Sequence, residues 1–303
     1  MPIDPVLAET LRIVAEEGTL EAAARRQHMT ASAVSQRLRL LEQQLGQRLL
    51  VRAKPARLTE PGQAVVRFAR RHALIEHEAL AELGLEARGE SPRLSIAVNS
   101  DSMATWFLGA LAGFARRHDA QLELLREDQD ATARHLASGA AVAAVTSSPV
   151  PSPGCSVTAL GSLVYVAAAA PAWWERWIGP SDRAQTTRVT AEALTCAPRI
   201  DFDRSDELQA TWLRRLGVDP AGTPRHFVPS THDLAAAVEA GLGWGMLLTF
   251  QADPLLASGR LLPLGGEPVT PPLFWQVAKT PSRLLDELTE AVVSTARREL
   301  RQE

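Results

Sequence analysis

Cysteine is scarce in this sequence. Cys155 and Cys196 are the only two in 303 residues, and they have neither CxxC nor metal-ligand spacing. A disulfide scaffold and a thiolate metal centre are thereby excluded, and both thiols are expected to be structural or incidental. The seven histidines are scattered, with no HxxxH or HExxH pair. His28, among arginines, and His118, after Arg116 and Arg117, read as solvated helix ends. No apolar run approaches the ~18–20 residues of a membrane span. The opening stretch MPIDPVLAET lacks the positive-then-apolar pattern of a secretory signal. The expected location is therefore the cytoplasm, with no membrane partner. There is no Walker loop, no GxGxxG after a strand and no GxSxG. No cofactor or metal is expected, and the chain does not read as an enzyme. At 46% hydrophobic and 22% charged residues it has the material for a core, and its length allows two or three domains.

The net charge of −3 hides an asymmetry. From Arg25 to Arg57 there are eight Lys or Arg (Arg25, Arg26, Arg37, Arg39, Arg48, Arg52, Lys54, Arg57) against one acid, Glu42. A basic segment in an acidic chain points to one polyanion-facing module on a body with another task. The same segment carries helical grammar. Val6, Leu7, Leu11 and Val14 form an apolar stripe that ends at Gly18. Thr19 caps a short helix, Leu20 to about Gln27, built on alanines that let another helix approach. Thr30 caps a third, with Val34, Leu38, Leu41 and Leu45 inside and Gly46 as its stop. Its other face carries Ser32, Ser35, Gln36, Arg37 and Arg39. Two helices joined by the turn His28-Met29-Thr30 fit a helix-turn-helix, whose second helix enters the major groove. Ser32, Ser35, Gln36 and Arg37 are the candidates for base edges, and Arg39, Arg52, Lys54 and Arg57 for phosphates. Leu49-Leu50-Val51 reads as a strand, followed by a basic turn and a return at Leu58, which together make a wing.

The stretch AAARRQHMTASAVSQRLRLLEQQLGQRLLVRAKPARLTEPGQ resembles the winged helix-turn-helix of the LysR-type transcriptional regulators. One departure is Ala31, where that family often has Gln at the front of the recognition helix. A base contact is then missing or replaced, and the operator half-site cannot be copied from relatives. The next helix, from Thr59-Glu60-Pro61-Gly62 to about Ala87, shows apolar spacing with no nearby stretch to bury it. In the family, such a helix pairs antiparallel between two subunits. The resemblance implies a homo-oligomer, a tetramer built from two linker-helix pairs, bound to double-stranded DNA. It leaves RNA polymerase as a further partner.

After the polar hinge Arg88-Gly89-Glu90-Ser91-Pro92, strands alternate with helices: LSIAV, LELLRED, AAVAAVT, LVYVAAAA, APRIDF and RHFVPS are read as strands. That alternation predicts an α/β body with largely parallel sheets. It resembles the two-lobed, periplasmic-binding-protein-like effector domain of the family, whose chain crosses between lobes twice, near Tyr165 and near Gly266 here. The expected fold is thus an N-terminal winged helix-turn-helix (1–58), a long linker helix and hinge (59–91) and an α/β effector body (92–303). Lobe I would span about 92–164 and 266–303, and lobe II about 165–265. The final helix is expected over Ser282 to Arg301.

Ligands of such bodies lie at strand ends and helix N-termini. The candidates are Asn99, Ser100, Asp101 and Ser102 after the first strand, Glu127 and Asp128 after the second, and Thr146 at the end of AAVAAVT. Asp203 after PRI, and Ser230, Thr231 and Asp233 before DLAAAVEAG, complete the set. Asp101 and Asp233 are also well placed to be helix caps. The balance is acidic, and desolvated carboxylates need cations. A ligand with an amine or guanidinium and its own carboxylate, such as lysine or arginine, meets both demands. Trp244, in GLGWGM, is read as core rather than cleft lining. IAVNSDSMATWF, EDQDATARHL, GCSVTALG, RHFVPS and AGLGWGM resemble the LysG/ArgP branch of the family, which senses lysine or arginine and controls genes such as basic-amino-acid exporters. Two rival readings remain open, a weakly specific nucleoid-type DNA binder and a LysR-type regulator with another effector; the basic first module argues against a solute-binding protein, and the absence of a nucleophile–base pair, metal cluster or nucleotide loop in the sequence argues against an enzyme.

Overall fold

The computed structural model describes residues 2–51, 53–85, 91–126, 129–179 and 189–302. The chain packs as two compact units. The first comprises Met1–Asn99, Ala110–Thr158 and Phe274–Val292, and the second comprises Ser100–Gly109, Ala159–Leu273 and Val293–Glu303.

The first unit opens with α1 (Pro5–Glu17), α2 (Leu20–Arg26) and α3 (Ala31–Leu45). Asp4 caps α1 by accepting the N–H groups of Val6 and Leu7. The Thr19 and Thr30 hydroxyls accept those of Ala22 and Ala33. Gly18 and Gly46 end α1 and α3 at φ +72° and +66°, in the left-handed region where a side chain is strained. His28 takes φ 53° in the turn between α2 and α3. Leu11, Val14, Ala23, Val34 and Leu41 are all 0% exposed and form the core of the three helices. Burying each large apolar side chain is worth about 1.5–3 kcal/mol. The strands β1 (Leu50–Val51) and β2 (Arg57–Leu58) pair antiparallel as a wing, with Val51 opposite Arg57.

Helix α4 spans Glu60–Glu82. The sequence left its apolar stripe without a partner, but its first half finds one in the same chain. Val65, Val66 and Ala69 join the core of α1 to α3. Side chains of Arg67 and Arg70 donate to the carbonyls of Ala137 and Gly139. Ile75 in its second half is exposed, as are Leu83 and Leu85 just beyond its end. The hinge residues 88–90 lie outside the described residues.

The body continues with β3 (Arg93–Val98), then α5 (Ser100–Ser102), a π-helical turn (Met103–Phe107) and α6 (Leu108–Ala115) in one run. The first unit adds β4 (Gln121–Arg126), α7 (Gln129–Ser138) and β5 (Ala143–Thr146). β6 (Cys155–Ser162) carries the chain into the second unit. There follow β7 (Tyr165–Ala169), α8 (Pro171–Trp177), α9 (Ala191–Cys196), β8 (Arg199–Asp201), α10 (Leu208–Arg215) and β9 (Arg225–Phe227). Next come α11 (Thr231–Glu239), β10 (Gly245–Leu248), α12 (Thr249–Ala257) and β11 (Leu262–Pro263). β12 (Pro272–Ala278) returns to the first unit, and α13 (Arg283–Glu299) closes the chain.

The sheets are mixed, not largely parallel. In the order β4-β3-β5-β12-β6, β3 runs parallel to β4 and β5, but β12 is antiparallel to β5. In the order β10-β7-β11, both neighbours of β7 run against it. α12 crosses from β10 to β11 as in a parallel βαβ unit, yet β7 lies between them. Strand–helix alternation reveals the crossover but not a strand inserted from about 80 residues upstream. β8 and β9 are parallel. Trp244 is 0% exposed and packs against Trp212 with ring centroids 5.0 Å apart and the planes tilted by 50°, so it is core. Cys155 is buried and Cys196 exposed, both free. Among the described residues no helix is long and apolar enough to cross a membrane, and no cluster of His, Cys, Asp or Glu is built to hold a metal.

Candidate nucleic-acid interface and effector site

On the first unit, α3 exposes Ser32, Gln36 and Arg39 and half-buries Ser35 and Arg37. These side chains share the surface left by the buried stripe Val34, Leu38 and Leu41. Arg37 is partly engaged elsewhere, since its Nη1 donates to Thr10 Oγ1 at 3.4 Å. Lys54 and Arg57 are exposed on the wing, and Arg52 lies outside the described residues. Glu42, the one acid of the basic segment, points inward. Its Oε1 accepts the N–H of Leu49 at 2.9 Å and of Leu50 at 3.4 Å, tying α3 to β1. The acid that interrupts the basic run therefore fastens the wing. Arg26 of α2 is likewise occupied, by Glu16 and Glu17. Glu16 also receives Arg12 and Arg70, which joins the helix-turn-helix to α4. Burial pushes the Glu16 carboxyl up, but the guanidinium groups of Arg12 and Arg70 outweigh it and hold it below the usual carboxylate value.

The effector candidates divide between the two units. On the first, Asn99 is buried at the end of β3. Thr146 is 1% exposed. Its hydroxyl donates to the Ser148 carbonyl at 3.1 Å and accepts from the Gln276 amide at 3.4 Å. Glu127 and Asp128 lie outside the described residues. On the second unit, Ser100 and Asp101 open α5, and Ser102 is buried.

Asp101 and Thr231 meet. The Thr231 hydroxyl donates to Asp101 Oδ1 at 2.6 Å, and the Tyr165 hydroxyl donates to Oδ2. Burial, and then the adjacent Asp101 carboxylate, raise the Tyr165 phenol well above its ordinary value, so it is a lasting donor. These three residues help to line a cavity of about 30 Å³ with Phe202, Asp206 and Gln251. Among the described residues no Lys or Arg lines it.

Asp203, Ser230 and Asp233 serve their own backbones. Asp203 Oδ1 accepts from the Ser205 N–H and hydroxyl and from the Asp206 N–H, at 2.7, 2.6 and 3.1 Å. The Ser205 hydroxyl foremost, and these N–H groups, hold the Asp203 carboxyl below its usual value against a small burial effect. Ser230 caps α11 by accepting the N–H of Asp233, whose side chain is exposed. Among the described residues no hydrogen bond or ion pair links these three to Asp101. The acid that does reach the pocket, Asp206, escaped the sequence reading. So did Tyr165, the one tyrosine of the chain. The signals were a third acid in DFDRSD and a lone phenol in the alanine-rich strand YVAAA. Below the pocket, Asp201 is 0% exposed and accepts from Arg199 Nε at 3.0 Å and Arg225 Nε at 2.6 Å.

A helix-turn-helix with a basic wing, followed by a long helix and an α/β body divided between the two units, defines a ligand-responsive DNA-binding regulator. Residues 7–63 match the bacterial regulatory helix-turn-helix proteins of the lysR family, and residues 87–301 match the LysR substrate binding domain. The chain belongs to the LysR family of transcriptional regulators, which are not enzymes. It is 41% identical over 292 residues to the regulator LysG of Mycobacterium bovis, covering 96% of this chain and 93% of LysG. The crystal structure of ArgP from Mycobacterium tuberculosis superposes with a TM-score of 0.86 at 38% identity, over 100% of both chains. Full-length LysG of Corynebacterium glutamicum with bound effector Arg has a TM-score of 0.76 and 34% identity, over 99% of this chain and 100% of that one.

Proposed function

We propose that this regulator senses a basic amino acid, lysine or arginine, and controls a basic-amino-acid exporter or related metabolism. The observation that carries this reading is the pocket lined by Asp101 and Asp206 with, among the described residues, no lysine or arginine side chain of its own. Two half-buried carboxylates favour a cationic head group. A cavity of about 30 Å³ holds one or two waters, so the head enters only as the surrounding side chains part. The arginine-bound relative supports the same class of ligand. Asp101 and Thr231 are the effector contacts retained with most support, and Asp206 and Tyr165 join them. Asn99, Ser100, Ser102, Glu127, Asp128, Thr146, Asp203, Ser230 and Asp233 stand as further candidates.

Ser32, Ser35, Gln36 and Arg37 are assigned to the DNA groove, and Arg39, Arg52, Lys54 and Arg57 to phosphates. The regulator acts in the cytoplasm on a dyad of half-sites. Its subunits pair through α4, a role supported by the exposed Ile75 on the helix and by Leu83 and Leu85 just after it, and two such pairs make a tetramer. RNA polymerase is its further partner. The division into 1–58, 59–91 and 92–303 belongs to this reading. Ligand acts allosterically by binding two body shapes with unequal affinity.

Calorimetric titration of the full chain with arginine, lysine, ornithine and leucine tests the effector. Saturable binding of the basic amino acids and none of leucine is expected. Tight leucine binding, or no binding of any basic amino acid, refutes the assignment.

A further inference from the structure

Gln209 stands in the first turn of α10 and is 1% exposed. Its Nε2 donates to the Ile200 carbonyl on β8 at 2.8 Å. A carbonyl accepts only from the NH2 end of an amide, so this bond fixes which way the side chain is turned. The other end, Oε1, is buried and has no hydrogen-bond partner among the described residues. An amide oxygen in that state costs stability, and an apolar side chain of similar length, such as methionine, would avoid the cost. The indole N–H groups of Trp106, Trp173, Trp212 and Trp244 are also buried without partners. They are donors, however, and none of the four lines the cavity that holds Asp101 and Asp206, whereas Gln209 does.

The two carboxylates do not supply what Gln209 does. Asp101 has both oxygens occupied by hydroxyl donors, from Thr231 and Tyr165. Asp206 Oδ2 accepts the N–H of Phe202 at 2.8 Å, and its Oδ1 that of Leu208 at 3.0 Å. These acids give the cavity its charge, but each of their oxygens already carries a donor. Leu234, Leu247 and Leu248 add apolar wall, against which a hydrogen bond is stronger than in water.

We propose that Gln209 is a specificity-determining residue of the effector site. Its Oε1 accepts an N–H from the cationic head of the effector, so the pocket selects a cation that carries hydrogen-bond donors and not positive charge alone. This rests on the reading of the pocket as the place where a basic amino acid puts its head group. The carboxylates attract any cation. The amide oxygen, its orientation fixed by β8, is satisfied only by one with an N–H to give. A primary ammonium and a guanidinium both have such donors. A quaternary ammonium has the same charge and none. A site that hydrogen-bonds an N–H rejects an analogue lacking it, because the buried acceptor is then left unpaired.

The experiment is titration calorimetry of the full chain with arginine, lysine and Nε-trimethyllysine, on the wild type and on Gln209→Met, whose folding is checked by circular dichroism. The variant should bind arginine and lysine about ten- to a hundredfold more weakly, the loss of one hydrogen bond to a charged group. The wild type should prefer lysine to its trimethylated form by about tenfold or more, and that preference should shrink by about tenfold in the variant. Losing the bond to Ile200 alone would weaken both ligands alike and leave the preference unchanged. A folded Gln209→Met protein that binds arginine within about twofold of the wild type overturns the assignment. So does a variant whose preference is unaltered. Equal binding of lysine and trimethyllysine by the wild type overturns it even if the variant does not fold. These three results leave the effector reading intact. Failure of the wild type to bind arginine or lysine overturns the effector reading, and the role of Gln209 with it.

Discussion

Replacing Arg57 with alanine separates electrostatic positioning on DNA from sequence reading. Arg57 is exposed on β2, its backbone is paired with Val51, and it forms no ion pair among the described residues. Its loss therefore removes a charge without opening a core. A phosphate contact contributes about −0.9 to the slope of log affinity against log salt. Between about 50 and about 200 mM salt that slope is worth about half a log unit, or about 3.5-fold, per reading head. Two heads on one dyad square the factor to about twelvefold. The variant should lose that much less affinity than the wild type over the same salt range. The loss should be similar on operator and scrambled duplexes. Fluorescence anisotropy with labelled duplexes over a salt series reads both quantities. An unchanged slope, or a loss confined to the operator, refutes a phosphate role. Arg37→Ala is the informative contrast, because Arg37 also holds buried Thr10 and its removal disturbs the packing of α3 on α1.

Gln36→Ala, at an exposed position on the recognition helix, should cost about 1–3 kcal/mol on the operator and little on scrambled DNA if the amide makes a bidentate base contact. A series of single-base operator variants checks it, and unchanged preference refutes the base contact. Asp201→Ala strands two guanidinium groups, one of them on Arg199, itself 2% exposed, and should destabilise the second unit by about 3–5 kcal/mol in denaturant unfolding. An unshifted transition would mean that the ion pairs are not formed in solution. Tyr165→Phe removes the donor to Asp101 Oδ2 and should cost about 1–3 kcal/mol while weakening arginine binding. Denaturation and calorimetry on the same sample test it, and unaltered values for both would remove Tyr165 from the site.

Legibility varied with the range of the interaction. The caps Thr19 and Thr30 and the stops Gly18 and Gly46 were readable because each acts on backbone within a few residues of itself. The apolar stripe of α3 was readable because one helical period sets it. The partner of α4 was not, since the stripe states what must be buried and not against what. Asp203 and Asp206 illustrate the limit at a site. Both follow the strand β8 in an acidic run, and nothing local says that Asp203 turns back onto Ser205 while Asp206 reaches the pocket. Tyr165 meets Asp101 from 64 residues away, a distance no periodicity spans.

The amino-acid order alone thus decided the helix-turn-helix, the wing, the excess of cations in that module and the alternation of strands and helices in the body. Each depends on side-chain period, on capping within one turn or on local charge, all expressed over short stretches. Tertiary packing decided that β7 inserts antiparallel between β10 and β11, that Glu42 fastens the wing, and that Asp101 and Asp206 share a pocket. These depend on which distant backbones compete for the same hydrogen bonds and which side chains are brought together, and both are settled only when the chain has closed on itself.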